Sequence, residues 1–406
     1  MTSTARDTKT SGSGRAAEPG SGKRPLPYFK WEGTMAELPS TLRKLVGTRA
    51  YQNLKSAYGW VKHERRNRPS MPLKRKLQVW RRGFFAESAT MYDFDRNNPA
   101  EYLSDFTRAA RWRDINAHNE FFAHKLVLRS FLLAMGFRQA ETLALLFEGK
   151  IVGSPFSPDA QHITPDELIR QLLSRGGSYI IKPEDGASGK DVLLLENRGG
   201  ELIIRRGPEV TPFTVANLVA LSAAGDPPHM TLIEERLEQD VFWRALFHES
   251  GNTLRVLTLW TPGEPAPFIA RAVQRIGTSM TVPTDNWSAG GISAPVDLAT
   301  GRLGPGRMRP ARTAGLVATE GLPHHPENGA QISGAVLPGW DRIQDTVLRA
   351  AASLPFNRMA GWDVLVTSGG EPVIIEGNGN SDIDLFQVHG GLLADPRIRR
   401  FHEALG

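Results

Sequence analysis

The sequence predicts an α+β fold with mostly antiparallel sheets, and two observations lead to this prediction. From Ser178 onward, short runs of β-branched residues alternate with turn residues, which is typical of strands. Only two segments with helical spacing interrupt these runs, near Pro212 to Ala223 and near Trp340 to Leu354. The predicted strands are YIIKP, DVLLLE, ELIIRR, TLIEERL, TLRVLTLW, PFIARAV, DVLVT and PVIIEG.

The composition indicates a globular protein without cysteine chemistry. The chain has 406 residues, of which 40% are apolar and 23% charged, as in ordinary proteins of two or three domains. It has no cysteine, so disulfides, thiolate metal sites and a cysteine nucleophile are excluded. No apolar stretch reaches about 18 residues and the N-terminus lacks an apolar core segment, so we expect no membrane span and no secretory signal. A cytoplasmic location is the resulting expectation.

The first part of the chain is expected to be a disordered tail followed by a basic helical region. Residues 1–25 are mostly small or polar, and such a composition does not offset its ordering entropy. Residues 26–118 carry apolar residues at helical spacing. Between Thr41 and Phe84, thirteen Lys or Arg accompany the single acid Glu64. This segment could bind nucleic acid or an anionic membrane surface, or it could be a solvated face on a protein whose other domains are acidic.

An amphipathic helix is predicted from Asn119 to Gly136, after the basic region. Its apolar residues fall at helical spacing, and Gly136 has the residue type that commonly ends a helix. The apolar residues are Phe121, Leu126, Leu128, Phe131 and Leu132.

Near the C-terminus, the run GWDVLVTSGGEPVIIEGNGN predicts a hairpin that carries a metal site. The segments VLV and VIIE are β-branched, and TSGGEP between them is typical of a turn. Such a hairpin would bring Asp363 alongside Glu376 and Asn378. Two carboxylates and an amide oxygen are hard ligands of the kind that Mg²⁺ prefers. The alternative is an exposed hairpin with ordinary polar ends.

A glycine-rich loop follows a strand that ends in a lysine, in SYIIKPEDGASGKDV. Small residues let backbone N–H groups approach phosphate oxygens, and Lys182 adds a positive charge. A Walker loop is excluded, because a strand rather than a helix follows the glycines.

Taken in order, three elements resemble the ATP-grasp superfamily. They are the segment from Lys182 to Lys190, the strand TLIEERLEQ at 231–239, and the acidic hairpin. The resemblance covers roughly Asn119 to the C-terminus. It implies an ATP-grasp fold, in which two α/β subdomains, at 119–230 and 231–406, hold ATP between them.

The same resemblance implies roles for individual residues. Lys182 would contact the nucleotide phosphates, and Lys125 matches the family's upstream lysine. A mobile lid over the phosphates would be formed by Gly186, Ala187, Ser188, Gly189 and Lys190. The adenine and ribose would meet Glu234, Glu235, Leu237 and Glu238, with Asp240 as an alternative to Glu238. Two Mg²⁺ ions, with Mn²⁺ as an alternative, would be bound by Asp363, Glu376 and Asn378.

A second set of segments resembles the sugar-transfer-associated ATP-grasp group, which is related to alpha-L-glutamate ligases. These segments are NTLRVLTLW (252–260), RAVQRIG (271–277) and TDNWSAGGISAPVDLATG (284–301). In such ligases arginines hold the γ-phosphate and the acyl-phosphate, which implies catalytic roles for Arg255, Arg275 and their neighbour Arg271. Asn286 and the pair Gly290–Gly291 would line the acceptor side. His389 follows the acidic hairpin and is expected to fold back over the site.

The resemblance implies an ATP-dependent carboxylate–amine ligase. A substrate carboxylate would attack the γ-phosphate to give an acyl-phosphate and ADP, and an amine would then displace phosphate to form an amide or peptide bond. The expected partners are small-molecule or peptide carboxylates and amines. Two alternatives remain: an ATP-grasp kinase that phosphorylates a hydroxyl, and a non-catalytic ATP-binding protein whose residues 41–84 bind nucleic acid or membrane. The sequence identifies neither the substrates nor the oligomeric state.

Overall fold

The computed structural model describes residues 58–59, 61–65, 71–185, 191–206, 209–223, 229–309 and 321–405. Three predictions lie wholly or largely outside these residues: the tail at 1–25, the basic segment before residue 71, and the glycine-rich lid at 186–190. The predicted domain boundaries stay predictions.

The described part of the chain begins and ends with helices, and strands and further helices alternate between them. The helices are α1 (Leu73–Arg81), α2 (Ala86–Met91), α3 (Asp105–Ile115), α4 (Glu120–Ala123), α5 (Lys125–Ala134), α6 (Pro165–Arg175), α7 (Val215–Ser222), α8 (Val241–Leu246), α9 (Trp340–Ala352), α10 (Asp384–Gln387) and α11 (Pro396–Ala404). The strands are β1 (Thr142–Phe147), β2 (Lys150–Gly153), β3 (Gln161–His162), β4 (Ser178–Pro183), β5 (Leu193–Arg198), β6 (Glu201–Arg206), β7 (Glu209–Pro212), β8 (Thr231–Glu235), β9 (Leu254–Leu259), β10 (Phe268–Ile276), β11 (Ile292–Pro295), β12 (Arg307–Met308), β13 (Met359–Val366) and β14 (Pro372–Asn378).

The first sheet has eight antiparallel strands in the order β3-β2-β1-β8-β4-β5-β6-β7. Along β4 the side chains alternate, as they do in any strand with one face on a core. Tyr179 and Ile181 are buried in the core formed with α6 and α7. Ile180 and Lys182 are only partly buried. Lys182 therefore lies on the face of the sheet that turns away from this core.

The second sheet has six antiparallel strands in the order β12-β11-β10-β9-β13-β14. One face packs against α9, with Val256 and Trp362 in the core. The opposite face packs against α1, α2, α3 and α11 through Leu257 and Leu259. The helices at the two ends of the described chain thus cover one face of this sheet together.

The predicted acidic hairpin is confirmed. β13 and β14 pair with Asp363 opposite Glu376 and Gly361 opposite Asn378. Residues that lie opposite each other in an antiparallel pair project from the same face of the sheet. The two carboxylates and the amide of the predicted metal site therefore share one face.

The helix predicted from Asn119 to Gly136 is two helices rather than one. The backbone of His124 is extended, with φ −107° and ψ 108°, and separates α4 from α5. Gly136 ends the second helix as predicted, because its φ of +78° is readily available only to glycine. The break at His124 places the first residue of α5, Lys125, against the end of β4.

Several elements were not predicted. Helices α8 and α10 have six and four residues, which is too short for a recognisable helical period. Helix α11 has a visible signal, since Asp395 caps it and Pro396 is its first residue. In the described residues, no helix is both long and apolar enough to cross a membrane.

Candidate functional site

A small cavity lies between the two sheets, beside α5. Four of its lining residues were predicted from the sequence as site residues: Lys125, Lys182, Glu234 and Glu376. They come from four different elements, α5, β4, β8 and β14. The fold therefore brings the predicted phosphate-binding lysines to the same space as one predicted metal ligand.

The carboxylate of Glu234 is shared by two buried cations. Its Oε2 accepts a hydrogen bond from Lys182 Nζ at 2.7 Å, and its Oε1 accepts one from Arg129 Nη1 at 2.8 Å. Burial by itself raises the pKa of Glu234, but the two cations outweigh it and hold the pKa below its ordinary value. Glu234 is thus an ionised anchor for Lys182.

Arg129 was missed by the sequence analysis. It is one helical turn after Lys125 on α5, and residues four apart lie on the same face of a helix. This spacing from Lys125 is the signal that could have identified it.

Glu184 joins the end of β4 to the start of α5. Its main-chain oxygen accepts a hydrogen bond from Lys125 Nζ at 3.1 Å. Its buried carboxylate accepts bonds from His124 Nδ1 at 3.0 Å and from Leu126 N at 3.3 Å. A carboxylate at a helix N-terminus is favourable because it satisfies free N–H groups and faces the positive end of the helix dipole. Glu184 was not predicted, yet it fixes the position of Lys125.

Burial lowers the pKa of Lys125, and the nearby carboxylate of Glu376 opposes this shift. The lysine on α5 and the carboxylate on β14 therefore interact electrostatically across the cavity. This interaction links helix α5 to the acidic hairpin of the second sheet.

The residues predicted to meet the adenine and ribose lie at the end of β8 and just beyond it. Glu235 Oε1 accepts a hydrogen bond from Glu141 N at 3.0 Å. Glu238 is exposed and pairs with Arg244 at 3.0 Å. Leu237 is half-buried between them. Contact of these residues with a nucleotide stays a prediction.

A second cluster lies on the same face of the second sheet as Glu376 and centres on Asp363. Arg255 lies opposite Asp363 on β9 and holds both of its oxygens, through Nε to Oδ1 and through Nη2 to Oδ2 at 2.8 Å. Arg275 on β10 donates from Nη1 to Oδ2 at 3.0 Å. Burial alone raises the pKa of Asp363, but the two guanidinium groups hold it below its ordinary value.

Asp285 anchors Arg275 from the other side. Its Oδ1 accepts from Arg275 Nη2, and its Oδ2 accepts from Thr253 N and Thr253 Oγ1, both at 2.6 Å. Burial raises the pKa of Asp285, against the opposing influence of Arg275. Arg275 thus pairs with two carboxylates, those of Asp285 and Asp363.

The predicted acceptor-side residues form a tight turn next to Asp285. Asn286 Oδ1 accepts hydrogen bonds from Ser288 N at 3.1 Å and from Ser288 Oγ at 2.9 Å. The turn closes with a bond from Gly291 N to Asn286 O at 3.0 Å. Their contact with an acceptor stays a prediction.

The hairpin residues suit a Mg²⁺ ion by the chemistry of their donors. Glu376 is half-buried, and Asn378 Nδ2 donates to Gly361 O at 3.4 Å, which leaves the amide oxygen as its ligand atom. Asp363 differs, since both of its oxygens accept from arginines. Over the described residues, no three His, Cys, Asp or Glu side chains come close enough together to hold a metal ion. Binding of Mg²⁺ by the two carboxylates and the amide, Asp363, Glu376 and Asn378, stays a prediction.

The structure places Arg271 away from the Asp363 cluster. Its guanidinium donates to Asp395 Oδ2 and to Gly391 O, each at 3.4 Å. His389 Nε2 lies 3.0 Å from Ser293 Oγ, and burial, with a contribution from Arg307, lowers the pKa of His389 to about 3. The roles predicted for Arg271 and His389 stay predictions.

A polar network connects Arg255 to the N-terminal helices. Arg255 Nη1 donates to Ser381 Oγ at 3.3 Å. The main-chain oxygen of Ser381 accepts from Arg108 of α3 at 3.4 Å, and Arg108 also lies 3.6 Å from Asp382. Sequence analysis did not identify these residues. The helical region before the two sheets thus contacts the residues that hold Arg255.

A family profile identifies the protein family to which this chain belongs. The profile described as sugar-transfer associated ATP-grasp matches residues 112–403, which is well over half of the chain. The chain belongs to this family. The predicted ATP-grasp fold, with its cleft between two antiparallel sheets, is therefore confirmed, as is the predicted family.

Solved structures similar to this ATP-grasp protein include three enzymes. The L-amino acid ligase from Bacillus licheniformis has 12% sequence identity and a TM-score of 0.34, over 68% of this chain and 42% of the ligase. D-cycloserine synthetase DcsG has 13% identity and a TM-score of 0.34, over 73% and 70% of the two chains. The D-alanine-D-alanine ligase from Coxiella burnetii has 11% identity and a TM-score of 0.34, over 79% and 66%. This chain thus spans less than half the length of the first of these. A comparison with curated proteins gave no match.

Proposed function

We propose that this ATP-grasp protein is an ATP-dependent ligase that joins a carboxylate to an amine through an acyl-phosphate, with release of ADP and phosphate. The observation that carries the proposal is the position of Glu376. It lines the cavity that contains Lys125 and Lys182, and it lies opposite Asp363, which holds Arg255. Groups suited to nucleotide phosphates and groups suited to a reacting carboxylate are therefore adjacent.

The charge of the cavity suits a nucleotide. Three cationic side chains, Lys125, Arg129 and Lys182, line it together with two carboxylates, Glu234 and Glu376. The balance is positive by one charge, in a space where burial weakens screening by salt. The phosphates of ATP are the natural counter-charge.

The magnesium ligands would be Glu376 and Asn378, with Asp363 sharing an oxygen that it also offers to the arginines. Mg²⁺ near phosphates is usually held by one or two carboxylates. When bound, it supplies charge neutralisation for phosphoryl transfer. Asp363 would then have two tasks, as a ligand and as the anchor of Arg255 and Arg275.

Arg255 and Arg275 would hold the transferred phosphoryl group and stabilise the carbonyl oxygen as the amine attacks. Both are only slightly exposed, at 11% and 12% of their side-chain surface. Their carboxylate partners fix their orientation before a substrate arrives, so little reorganisation is needed. Loss of one such donor costs about 3 to 4 kcal/mol in other enzymes. No covalent nucleophile of the protein is required.

The test is a screen for ADP release with the full chain, ATP and Mg²⁺, over amino acids, short peptides and uronic acids. A ligase releases ADP over many turnovers only when a carboxylate and an amine are both present. With hydroxylamine in place of the amine, the acyl-phosphate is trapped as a hydroxamate in proportion to ADP. A phosphorylated product without hydroxamate would instead establish a kinase.

Two variants of the hairpin make the screen specific to the proposed site. Glu376→Gln removes a ligand from the cavity and is expected to abolish ADP release. Glu371→Gln is the matched control, because Glu371 precedes the same strand but its carboxylate is 42% exposed and pairs with Arg138 at 2.6 Å. Equal activity of the two variants would contradict the assignment of the cleft.

A further inference from the structure

Arg129 is a buried guanidinium in the wall of the cleft whose role the ligase chemistry leaves open. Its side chain is only 8% exposed. It donates to Glu234 Oε1 at 2.8 Å and also bonds Thr142 Oγ1. Thr142 lies opposite Glu234 in the pairing of β1 with β8. One guanidinium thus ties helix α5 to two strands of the first sheet.

Lys182 holds the other oxygen of the same carboxylate. The distance from Lys182 Nζ to Glu234 Oε2 is 2.7 Å, and the side chains are 14% and 5% exposed. Each cation therefore has one oxygen of Glu234, and the group of three carries a net charge of +1. If Arg129 were neutral, Lys182 and Glu234 would form a closed ion pair with no net charge.

A closed pair of this kind would weaken a nucleotide site. A lysine whose charge is balanced by a buried carboxylate attracts a phosphate less, because the carboxylate beside it repels the phosphate. With Arg129 on the opposite oxygen, the negative charge of Glu234 is divided between two cations. The excess positive charge then remains at the surface of the cavity, which both Lys182 and Arg129 line.

We infer that Arg129 is a positioning residue that balances Glu234 and so keeps the charge of Lys182 available to the phosphates of the nucleotide. The inference rests on the proposed binding of ATP in this cleft. It assigns Glu234 a second task besides any contact with adenine, namely to hold Lys182 in place. Arg129 offsets the negative charge that Glu234 places beside Lys182.

A purely structural brace is the competing explanation. Because Arg129 joins α5 to β1 and β8, its loss is expected to destabilise the fold in either case. The two explanations differ when Glu234 is also neutralised. If Arg129 is only a structural brace, a protein that lacks both Arg129 and the charge of Glu234 binds nucleotide no better than a protein that lacks Arg129 alone. If the charge balance is what matters, removal of the negative charge of Glu234 releases Lys182 and restores binding.

The experiment measures ATP binding to the full chain with Mg²⁺ by calorimetry, for wild type, R129Q, R129K, E234Q and the double variant R129Q/E234Q. We expect R129Q to raise the dissociation constant for ATP at least about tenfold, and R129K to remain near wild type. The double variant is expected to recover most of the affinity that R129Q loses. Wild-type affinity in R129Q, or a double variant no tighter than R129Q, would overturn the inference.

A thermal melt of each protein shows that it is folded. E234Q alone removes the anchor of Lys182, so its own change in ATP affinity is the reference for the double variant, and R129Q is expected to weaken ATP binding less in the E234Q background than in wild type. R129K covers the case in which R129Q does not fold, because a tenfold weaker ATP binding in folded R129K, which keeps the positive charge, would count against the inference. Arg175→Gln is the matched control, because it removes an exposed arginine that pairs with Glu141 outside the cavity. If wild type itself fails to bind ATP, the proposed function falls rather than the role of Arg129.

Discussion

Arg255 donates two hydrogen bonds to the carboxylate of Asp363, one to each oxygen, between the neighbouring strands β9 and β13. The sequence analysis assigned these residues separate tasks, one on the γ-phosphate and one on the metal. In the structure they are one unit, with Arg275 as its third member. The position of the proposed catalytic arginines therefore depends on the proposed metal ligand, and a change at Asp363 acts on all three.

Asp363→Asn is expected to reduce stability as well as activity. It removes a buried negative charge, which leaves Arg255 without its paired carboxylate and Arg275 with Asp285 alone, at a cost of about 3 kcal/mol in the free energy of unfolding. Urea denaturation measures this loss. The matched control is Asp345→Asn, because Asp345 is 68% exposed and pairs with Arg349 on the surface. The control is expected to change stability by less than about 1 kcal/mol. Equal stability of the two variants would show that Asp363 is not an electrostatic anchor.

Arg275→Lys and Arg271→Lys are expected to differ strongly in activity. A lysine cannot reproduce the planar fork with which Arg275 reaches both Asp363 and Asp285. We expect kcat for ADP release to fall about 100-fold, with a smaller change in the KM for ATP. Arg271 contacts Asp395 and Gly391 instead, so its replacement should leave kcat within a few fold of wild type. A larger loss at Arg271 than at Arg275 would reverse the assignment of the two arginines.

Asp384 is expected to make the protein less stable as the pH rises. Burial, with a contribution from Asp382, raises the pKa of Asp384 from 3.8 to about 7. Between those values the folded state holds a proton that the unfolded state has lost, so the free energy of unfolding falls from about pH 4 to pH 7. The charged or titratable groups around it are Tyr92, Asp105, Arg108, Arg309 and Asp382.

The variant Asp384→Asn stays neutral at every pH and keeps an oxygen for the hydroxyl of Tyr92, which donates to Asp384 Oδ1 at 2.7 Å. It should match wild type near pH 4 and exceed it by at least about 1 kcal/mol at pH 7, since a pKa change of one corresponds to about 1.4 kcal/mol. Melting curves of both proteins across this range measure the difference. A constant difference from pH 4 to pH 7 would mean that Asp384 does not titrate there.

The sequence was sufficient for the parts of the site that depend on local pattern. The acidic hairpin could be predicted because β-branched runs flank a turn, and register then places Asp363 beside Glu376. The exposure of Lys182 toward the cleft follows from strand alternation, with Tyr179 and Ile181 on the core side. These predictions needed only the periods of a strand and the chemistry of a turn.

The remaining contacts depend on residues that are distant in the sequence. Arg255 and Asp363 are 108 positions apart, and no local pattern indicates that they pair. Glu184 looks like an ordinary loop acid until α5 is placed against it, 58 positions away from Leu126. The helix from Asn119 was predicted as continuous because its apolar residues keep helical spacing across His124. The break at His124 is stabilised by the contact of its side chain with Glu184. Tertiary packing decided these features.

Gly291 is expected to accept no side chain, because of its proximity to Asp285. A Cβ atom at this position would lie 2.5 Å from the main-chain oxygen of Asp285. This backbone atom cannot move without shifting the Asp285 carboxylate, which pairs with Arg275. Gly291→Ala should therefore reduce stability by about 1 to 3 kcal/mol and lower kcat more than it raises the KM for ATP. Gly251→Ala is the matched control, since its Cβ would meet only Leu365 at 3.8 Å, an ordinary contact. If Gly291→Ala matched this control in denaturation and in ADP release, the turn at Asn286 would not be what holds Asp285, and the position of Arg275 would depend on Asp363 and Thr253 alone.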